Sequence, residues 1–359
     1  MKRVHNFSAG PAALPLEVLE EVQQEMLNYR GVGASIIELS HRGAKYVEVD
    51  RQAKERLRDL LNLSQEYEIM FLQGGASQQF MMAPMNFLDE GKTADYIETG
   101  TWSKKAIKEA RLFGNVHIPY TSKDTNFDRV PTSGELNYSG KAEYVHFNSN
   151  NTIFGTQFPT EPETDGVPLV CDASSDFLSR PVEVEKYGLI YAGAQKNAGP
   201  AGVTIVIVNT KFLEKGKKEG IPTILNYNTH INAMFNTPPV FGVYVFNKVL
   251  EWLQHKGGLA AMAAQNEAKA AKLYAEIDAD DFYRGTTEVA SRSLMNATFR
   301  LPDEAMEKVF IAEADKQGFS GLKGHRSVGG IRASIYNACA PESVDLLVEF
   351  MREFRKTHG

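Results

Sequence analysis

Two hydrophobic periods share this chain. Short apolar runs rich in β-branched residues, bounded by Gly and Pro, read as buried strands: Tyr67–Leu72, Thr93–Glu98, Glu143–Phe147, Pro168–Asp172, Gly188–Ala192 and Gly202–Val208. Between them apolar residues return at helical spacing. Leu16, Leu19, Val22 and Met26 mark a helix from Leu16 to Tyr29, which Gly31 and Gly33 break. Further helices are expected over Lys45–Leu61 and Gln78–Leu88, and another opens at Thr101-Trp102-Ser103 with Ser103 or Thr101 as its cap. A helix over Val240–His255 follows a loop spanning 226–239. Strands alternating with helices imply a mostly parallel sheet whose ligands gather at the carboxyl ends of its strands. After Gly257-Gly258 the pattern changes. An Ala-rich helix, Leu259–Ile277, begins a smaller α+β unit with strands near Leu294–Arg300 and Ile331–Ile335 and helices near Asp303–Gln317 and Pro341–Lys356.

Several chemistry-bearing residues fall at the predicted strand ends. Lys196 sits on a short turn between two apolar strands, where a lysine is costly unless it has a partner or a job. A desolvated amine has a lowered pKa and forms imines with aldehydes. Taken alone, Lys196 reads first as a solvated lysine on an ordinary connection, and a second element upstream shifts that reading. Asp172 ends a strand 24 residues upstream, room for one connection and one strand. Such an Asp and Lys suit pyridoxal phosphate: the carboxylate keeps the pyridine nitrogen protonated, and the amine holds the aldehyde. Gln73-Gly74-Gly75-Ala76-Ser77 joins a strand to a helix, the geometry that holds phosphate on free backbone N–H groups. The same turn is compatible with no ligand, and it is neither a dinucleotide fingerprint nor a phosphate-loop lysine motif. Trp102 is placed either to stack on a cofactor ring or to fill core. Asn148–Thr152 reads as a polar loop at a strand end. Gly324-His325-Arg326-Ser327-Val328-Gly329-Gly330-Ile331-Arg332 gathers two arginines and a histidine. It reads as an anion site rather than a solvated hairpin, because Arg332 alternates into an apolar strand where a charge needs a partner.

Composition narrows the setting. The chain has 359 residues, a net charge of −6, 43% hydrophobic and 23% charged residues, which fits a soluble protein of roughly two domains and argues against nucleic acid as a partner. An anionic substrate must therefore be met by local arginines. Cys171 and Cys339 read as buried thiols, with no disulfide framework and no metal site. The N-terminal stretch lacks the apolar core of a signal peptide and no run approaches membrane-spanning length, so a cytoplasmic enzyme is expected.

Gly193-Ala194-Gln195-Lys196-Asn197 with Gly199-Pro200-Ala201-Gly202 resembles the lysine motif of the phosphoserine aminotransferases, class-V pyridoxal-phosphate enzymes. The likeness runs nearly end to end, through Asn6–Pro11, Ser40-His41-Arg42, Gly74–Ser77, Asn236-Thr237-Pro238-Pro239, Gly324-His325-Arg326 and Arg332–Asn337. It departs at Ala198, where a leucine-like residue is expected, and at Ser77, where some relatives carry arginine. The resemblance implies an α/β fold of the aspartate-aminotransferase type (PLP fold type I), with a mostly parallel seven-stranded sheet in a large domain over 16–257 and a small α+β domain from 1–15 and 258–359. It implies that Lys196 carries the cofactor and moves protons, and that Asp172 pairs with the ring nitrogen. Ala76 and Ser77 would meet the phosphate, Trp102 the ring, and Thr152 and Gln195 the ring substituents or phosphate. Asn236 and Thr237 would reach the cofactor of the neighbouring subunit in a homodimer with shared sites. Ser8, His41, Arg42, His325, Arg326 and Arg332 would bind substrate, with Arg42 and Arg332 on the carboxylate. The implied reaction moves the amino group of L-glutamate to 3-phosphohydroxypyruvate, giving phosphoserine and 2-oxoglutarate. The 4-phosphohydroxythreonine of vitamin B6 synthesis stays open as a second product. A desulfurase would need a mobile cysteine, for which neither cysteine is placed, and a non-catalytic relative would be expected to lose Lys196 or the arginines.

Overall fold

The computed structural model describes residues 3–216, 219–231 and 234–359. Met1 and Lys2 of the N-terminal stretch, and Asn232 and Ala233 of the 226–239 loop, lie outside them. Period-2 alternation builds the centre of the large unit. Along Thr204–Asn209, Ile205 and Ile207 enter one apolar cluster, whereas Val206 and Val208 enter another on the opposite face. Both faces are therefore buried, which is why these strands read as continuous apolar runs. Seven strands form the sheet, in the spatial order Tyr67–Leu72, Thr204–Asn209, Tyr187–Gly193, Leu169–Asp172, Ala142–Asn148, Thr93–Tyr96, Asn115–His117. All run parallel except Thr204–Asn209, which is antiparallel to both its neighbours. One face carries the helices Ala44–Leu61 and Val240–His255, and the other Gly75–Phe87 and Thr101–Ala110.

A separate apolar cluster gathers Phe7 with residues from Ala270 to Phe354, around the antiparallel sheet Arg284–Gly285, Asn296–Arg300, Ile331–Ser334. The helix Gly258–Ile277 bridges the two regions: Leu259 and Met262 join the large core, and Ala270, Leu273 and Ile277 the small one. The chain's start is tied here too, because His5–Asn6 pairs in parallel with Phe319–Ser320.

Three local expectations change in detail. The first helix spans Leu16–Glu25 rather than reaching Tyr29, since the Asn28 side chain accepts from Gly33 N and Tyr29 N donates to Ala34 O, a loop closure competing with the helix. The helix expected from Gln78 starts at Gly75, which puts Ala76 and Ser77 inside its first turn. The expected polar loop 148–152 is a buried hairpin, Asn150–Asn151 with Thr156–Gln157. Its amides are satisfied inside the protein: Asn150 Nδ2 donates to Ser175 Oγ and Asn296 Oδ1, and Asn151 Nδ2 to Thr99 O. Among the described residues no helix is long and apolar enough to cross a membrane.

Candidate active site

Lys196 occupies the turn that joins two antiparallel central strands. Ala194 O accepts from Ala198 N and Gly199 N at 3.2 and 2.7 Å, so the turn is tight. Its ammonium donates to Thr152 Oγ1 at 2.5 Å and lies 5.1 Å from the centroid of the Trp102 ring. Thr152 also accepts, at its carbonyl, a 3.1 Å bond from Arg332 Nη1. Residues from three distant stretches thus converge on the amine. Lys196 is partly open to the cleft, yet protein surrounds most of it. Burial is the main reason its pKa falls from 10.5 to about 8, the Arg332 charge adds to the fall, and Asp172 opposes it.

Asp172 ends its strand directly beside Asn148, its register partner. Its carboxylate accepts from Asn148 Nδ2 at 2.8 Å and from the backbone N and hydroxyl of Ser174 at 3.0 and 2.6 Å. Ser174 Oγ in turn accepts from Gly193 N at 3.0 Å, which couples the aspartate to the lysine turn. Nothing in this shell donates a positive charge, so a cationic ring nitrogen would find an oriented carboxylate.

The glycine turn is conformationally demanding. Gly74 has φ +90°, and a Cβ there would stand 1.8 Å from Gln78 Oε1. Gly75 N is already taken by Thr204 Oγ1 at 2.8 Å. The N–H groups of Ala76 and Ser77 lie in the helix's first turn, where no intrahelical carbonyl reaches them and the helix end is positive. The residue set fits pyridoxal phosphate. The structure offers a carboxylate for a ring nitrogen, an amine with lowered pKa, a helix start for a phosphate and an indole beside them. Buried atoms left without partners (Trp102 Nε1, Asn148 Oδ1, Arg332 Nε) mark the same region as made for a further polar group.

The other predicted residues divide into two sets. Gln195 borders the site, and its carbonyl accepts from Ala12 N at 2.9 Å, so the N-terminal arm crosses Lys196. A Cβ on Gly10 would meet Lys196 Cγ at 3.1 Å. Ser8 is tied to that arm, its N donating to Asn6 Oδ1, and packs against Gly321. Asn236 and Thr237 dock beside the glycine turn of their own chain: Asn236 Nδ2 donates to Gln73 Oε1 at 3.2 Å, and Gln73 Nε2 to Thr237 O at 2.9 Å. His325 bonds Ser327 Oγ at 2.7 Å within a turn closed by Gly324 N donating to Gly330 O. Burial first, then the charges of Arg332, Arg326 and Lys105, press the His325 pKa below its usual 6.5. His41 and Arg42 stand apart. Arg42 is exposed, and neither side chain makes a hydrogen bond, ion pair or ring contact with Lys196, Trp102 or Arg332 among the described residues.

Three residues of the site went unassigned in the sequence. Asn148 could have been found as the last residue of the strand next to Asp172. Ser174 belongs to an Asp-x-Ser turn, in which the side chain accepts from backbone two residues on. Lys105 is one helical turn past Trp102, with its ammonium 4.5 Å from the indole centroid.

Fold and site together define a pyridoxal-phosphate enzyme of the aspartate-aminotransferase type. The family model "Aminotransferase class-V" matches residues 4–347. A phosphoserine aminotransferase of Desulfosudis oleivorans is 53% identical, over 100% of this chain and 99% of its own length. The solved phosphoserine aminotransferase of Bacillus circulans subsp. alkalophilus is 50% identical, with a TM-score of 0.98 and both chains fully covered. That of Trichomonas vaginalis, solved with PLP bound, is 42% identical with a TM-score of 0.93, covering 98% of this chain and 100% of its own. The chain belongs to the class-V aminotransferases and, within them, to the phosphoserine aminotransferase family.

Proposed function

We propose that this protein transfers the amino group of L-glutamate to 3-phosphohydroxypyruvate, forming O-phospho-L-serine and 2-oxoglutarate, with pyridoxal 5'-phosphate as cofactor. One observation carries the reading: Lys196 meets Thr152 by its amine, and Arg332 meets the same residue's carbonyl. A proton carrier and a carboxylate fork are thereby held by the same residue. Both substrates offer an α-carboxylate next to the carbon that exchanges its proton. When bound, the cofactor supplies an electron sink for the pair left on that carbon. The chain's residues do the rest. Asp172, oriented by Asn148 and Ser174, holds a proton on the ring nitrogen. Lys196, whose pKa burial lowers from 10.5 to about 8, is more readily a free base than an ordinary lysine, and it removes the α-carbon proton in one half-reaction and returns it in the other. Trp102 and Thr152 would hold the ring, with Gln195 contributing from the lysine turn, and Ala76 and Ser77 would receive the phosphate. Arg332 and Arg42 take the α-carboxylate. His325 and Arg326, with His41 assisting, face the far anionic group, and Ser8 closes the cleft from the arm.

We also propose a homodimer with shared sites, dividing each chain into units 16–257 and 1–15 with 258–359. Among the described residues the exposed Arg42 side chain has no partner, and Leu27, Ile37, Ile224 and Phe235 expose 86, 56, 47 and 45% of their surfaces, which supports a second copy, with Asn236 and Thr237 of one chain reaching the cofactor of the other. The reaction and two reduced thiols support a cytoplasmic setting. Burial pushes both thiols up, Cys339 to about 11, so neither is a ready nucleophile for a desulfurase. The decisive experiment uses the purified protein with cofactor. Glutamate alone should bleach its visible band, and 3-phosphohydroxypyruvate should restore it with formation of phosphoserine. A protein that turns over hydroxypyruvate as well as its phosphate ester would overturn the substrate assignment.

A further inference from the structure

The N-terminal arm lies over Lys196 as a single layer of chain. Gly10 and Pro11 are exposed, yet a Cβ added to Gly10 would stand 3.1 Å from Lys196 Cγ, so the lysine stem has arm backbone against it and solvent beyond. Backbone bonds fix both ends of this cover. Phe7 N donates to Ser320 O at 2.8 Å and Ser334 N to Phe7 O at 3.2 Å, and at the other end Ala12 N donates to Gln195 O at 2.9 Å. Between Phe7 and Ala12, among the described residues, one hydrogen bond reaches the arm from the rest of the protein: the Tyr336 hydroxyl donates to Ala9 O at 2.8 Å. Tyr336 is 2% exposed, and its hydroxyl also accepts from Asn296 Nδ2 at 3.2 Å. It follows the strand Ile331–Ser334 directly, so the segment that carries Arg332 also anchors the middle of the arm.

The two bonds of that hydroxyl are not equivalent. Without it, Asn296 Nδ2 keeps Ser334 Oγ at 2.9 Å, whereas Ala9 O loses the donor it has. The stretch 8–11 is then tied only at its ends, and water gains a path to the lysine stem. Charge does not enter on the arm's side, because Phe7, Ser8, Ala9, Gly10, Pro11 and Ala12 carry none. The charges that act on Lys196 are those of Asp172, Arg332 and Asp176, with Lys105 across the Trp102 ring. What the arm supplies is exclusion of solvent. Resting on the role proposed above for Lys196, we propose that Tyr336 is a positioning residue: its hydroxyl holds the arm against the lysine stem and so keeps water from the amine that carries the cofactor. The contact of Gly10 with Lys196 links this buried tyrosine to the chemistry, and the hydroxyl acts through the arm rather than by touching a reacting atom.

The experiment compares wild type, Tyr336→Phe, Gly10→Ala and the double variant as full-length apoproteins. It follows the rate of borohydride-trappable attachment of pyridoxal phosphate across pH, with the attachment point located by peptide mapping. Running all four side by side cancels the cofactor's own titration. In Tyr336→Phe the midpoint should move up by roughly half to one pH unit, because a wetter amine holds its proton more tightly. Gly10→Ala places a Cβ against Lys196 Cγ at a φ of +146°, so it should lift the arm on its own and move the midpoint the same way. The double variant should show little beyond the larger single shift, since both changes act through one segment. A Tyr336→Phe protein with Tm within about 5 °C of wild type and an unmoved midpoint would make the tyrosine a structural contact alone. That result overturns the assignment, and so do fully additive shifts. If Tyr336→Phe does not fold, Gly10→Ala decides: an unmoved midpoint there shows that the arm does not shield the lysine, and a raised one supports the shield. Wild type that traps no cofactor at Lys196 would overturn the role of Lys196 itself. Wild type that traps it there isolates any failure to Tyr336.

Discussion

The strand-end half of the site and its cationic rim are built on opposite terms. At the strand ends every charged group already has partners. Asp172 accepts three hydrogen bonds, and Lys196 donates to Thr152. Asn150 and Asn151, 4 and 1% exposed, spend their amides on neighbouring residues. On the rim, Arg326 and Lys105 are exposed without carboxylate partners among the described residues, and His325 meets only Ser327. The first region is preorganised, so binding there needs little rearrangement. The second holds exposed cations, which under the proposed function would take up substrate anions. Cations with firm internal partners would release each ligand more easily but select it less.

Substitutions in the two regions should therefore differ in size and in selectivity. The largest effect is expected from Lys196→Ala, which removes the proton carrier from both half-reactions and should slow transamination by about 10⁴-fold. Single-turnover absorbance with glutamate reads it, and a rate within a hundredfold of wild type would assign the proton transfer elsewhere. Arg332→Lys comes next. It sits where the two regions touch, and a lysine cannot reproduce the guanidinium fork, so both half-reactions should fall by about ten- to a hundredfold in kcat/KM. Loss in only one of them would break its assignment to the shared α-carboxylate.

Arg326→Ala should act on the rim alone. Steady-state kinetics should show a roughly ten- to hundredfold loss on 3-phosphohydroxypyruvate and a smaller one on hydroxypyruvate. Equal losses would mean that Arg326 does not face the far group. The smallest effect is one of pH. The reactive form of Lys196 is the neutral amine, which gains population as pH rises through its pKa. Since burial lowers that pKa to about 8, the rate of borohydride-trappable attachment of pyridoxal phosphate to the apoprotein should climb through pH 8. A climb centred near 10.5, the ordinary lysine value, would show that the amine is not desolvated.

The alternation of apolar runs with helical spacing was enough to place Asp172 and Lys196 at neighbouring strand ends, because period and punctuation are local properties written directly in side-chain type. The glycine turn was legible for the same reason: positive φ at Gly74 and Gly75 restricts the residue choice on the spot. The helix start was read three residues late, since Gly-Ala-Ser carries turn chemistry and only packing extends the helix through it. What joins residues far apart in the chain came from tertiary structure alone. Thr152 reaches Lys196 across 44 positions and Arg332 reaches Thr152 across 180. Asn148 and Ser174 acquire roles only through their neighbours. Hydrophobic pattern determines which face of an element is buried, whereas a hydrogen bond needs two atoms within about 3 Å, and that depends on how whole elements settle against one another.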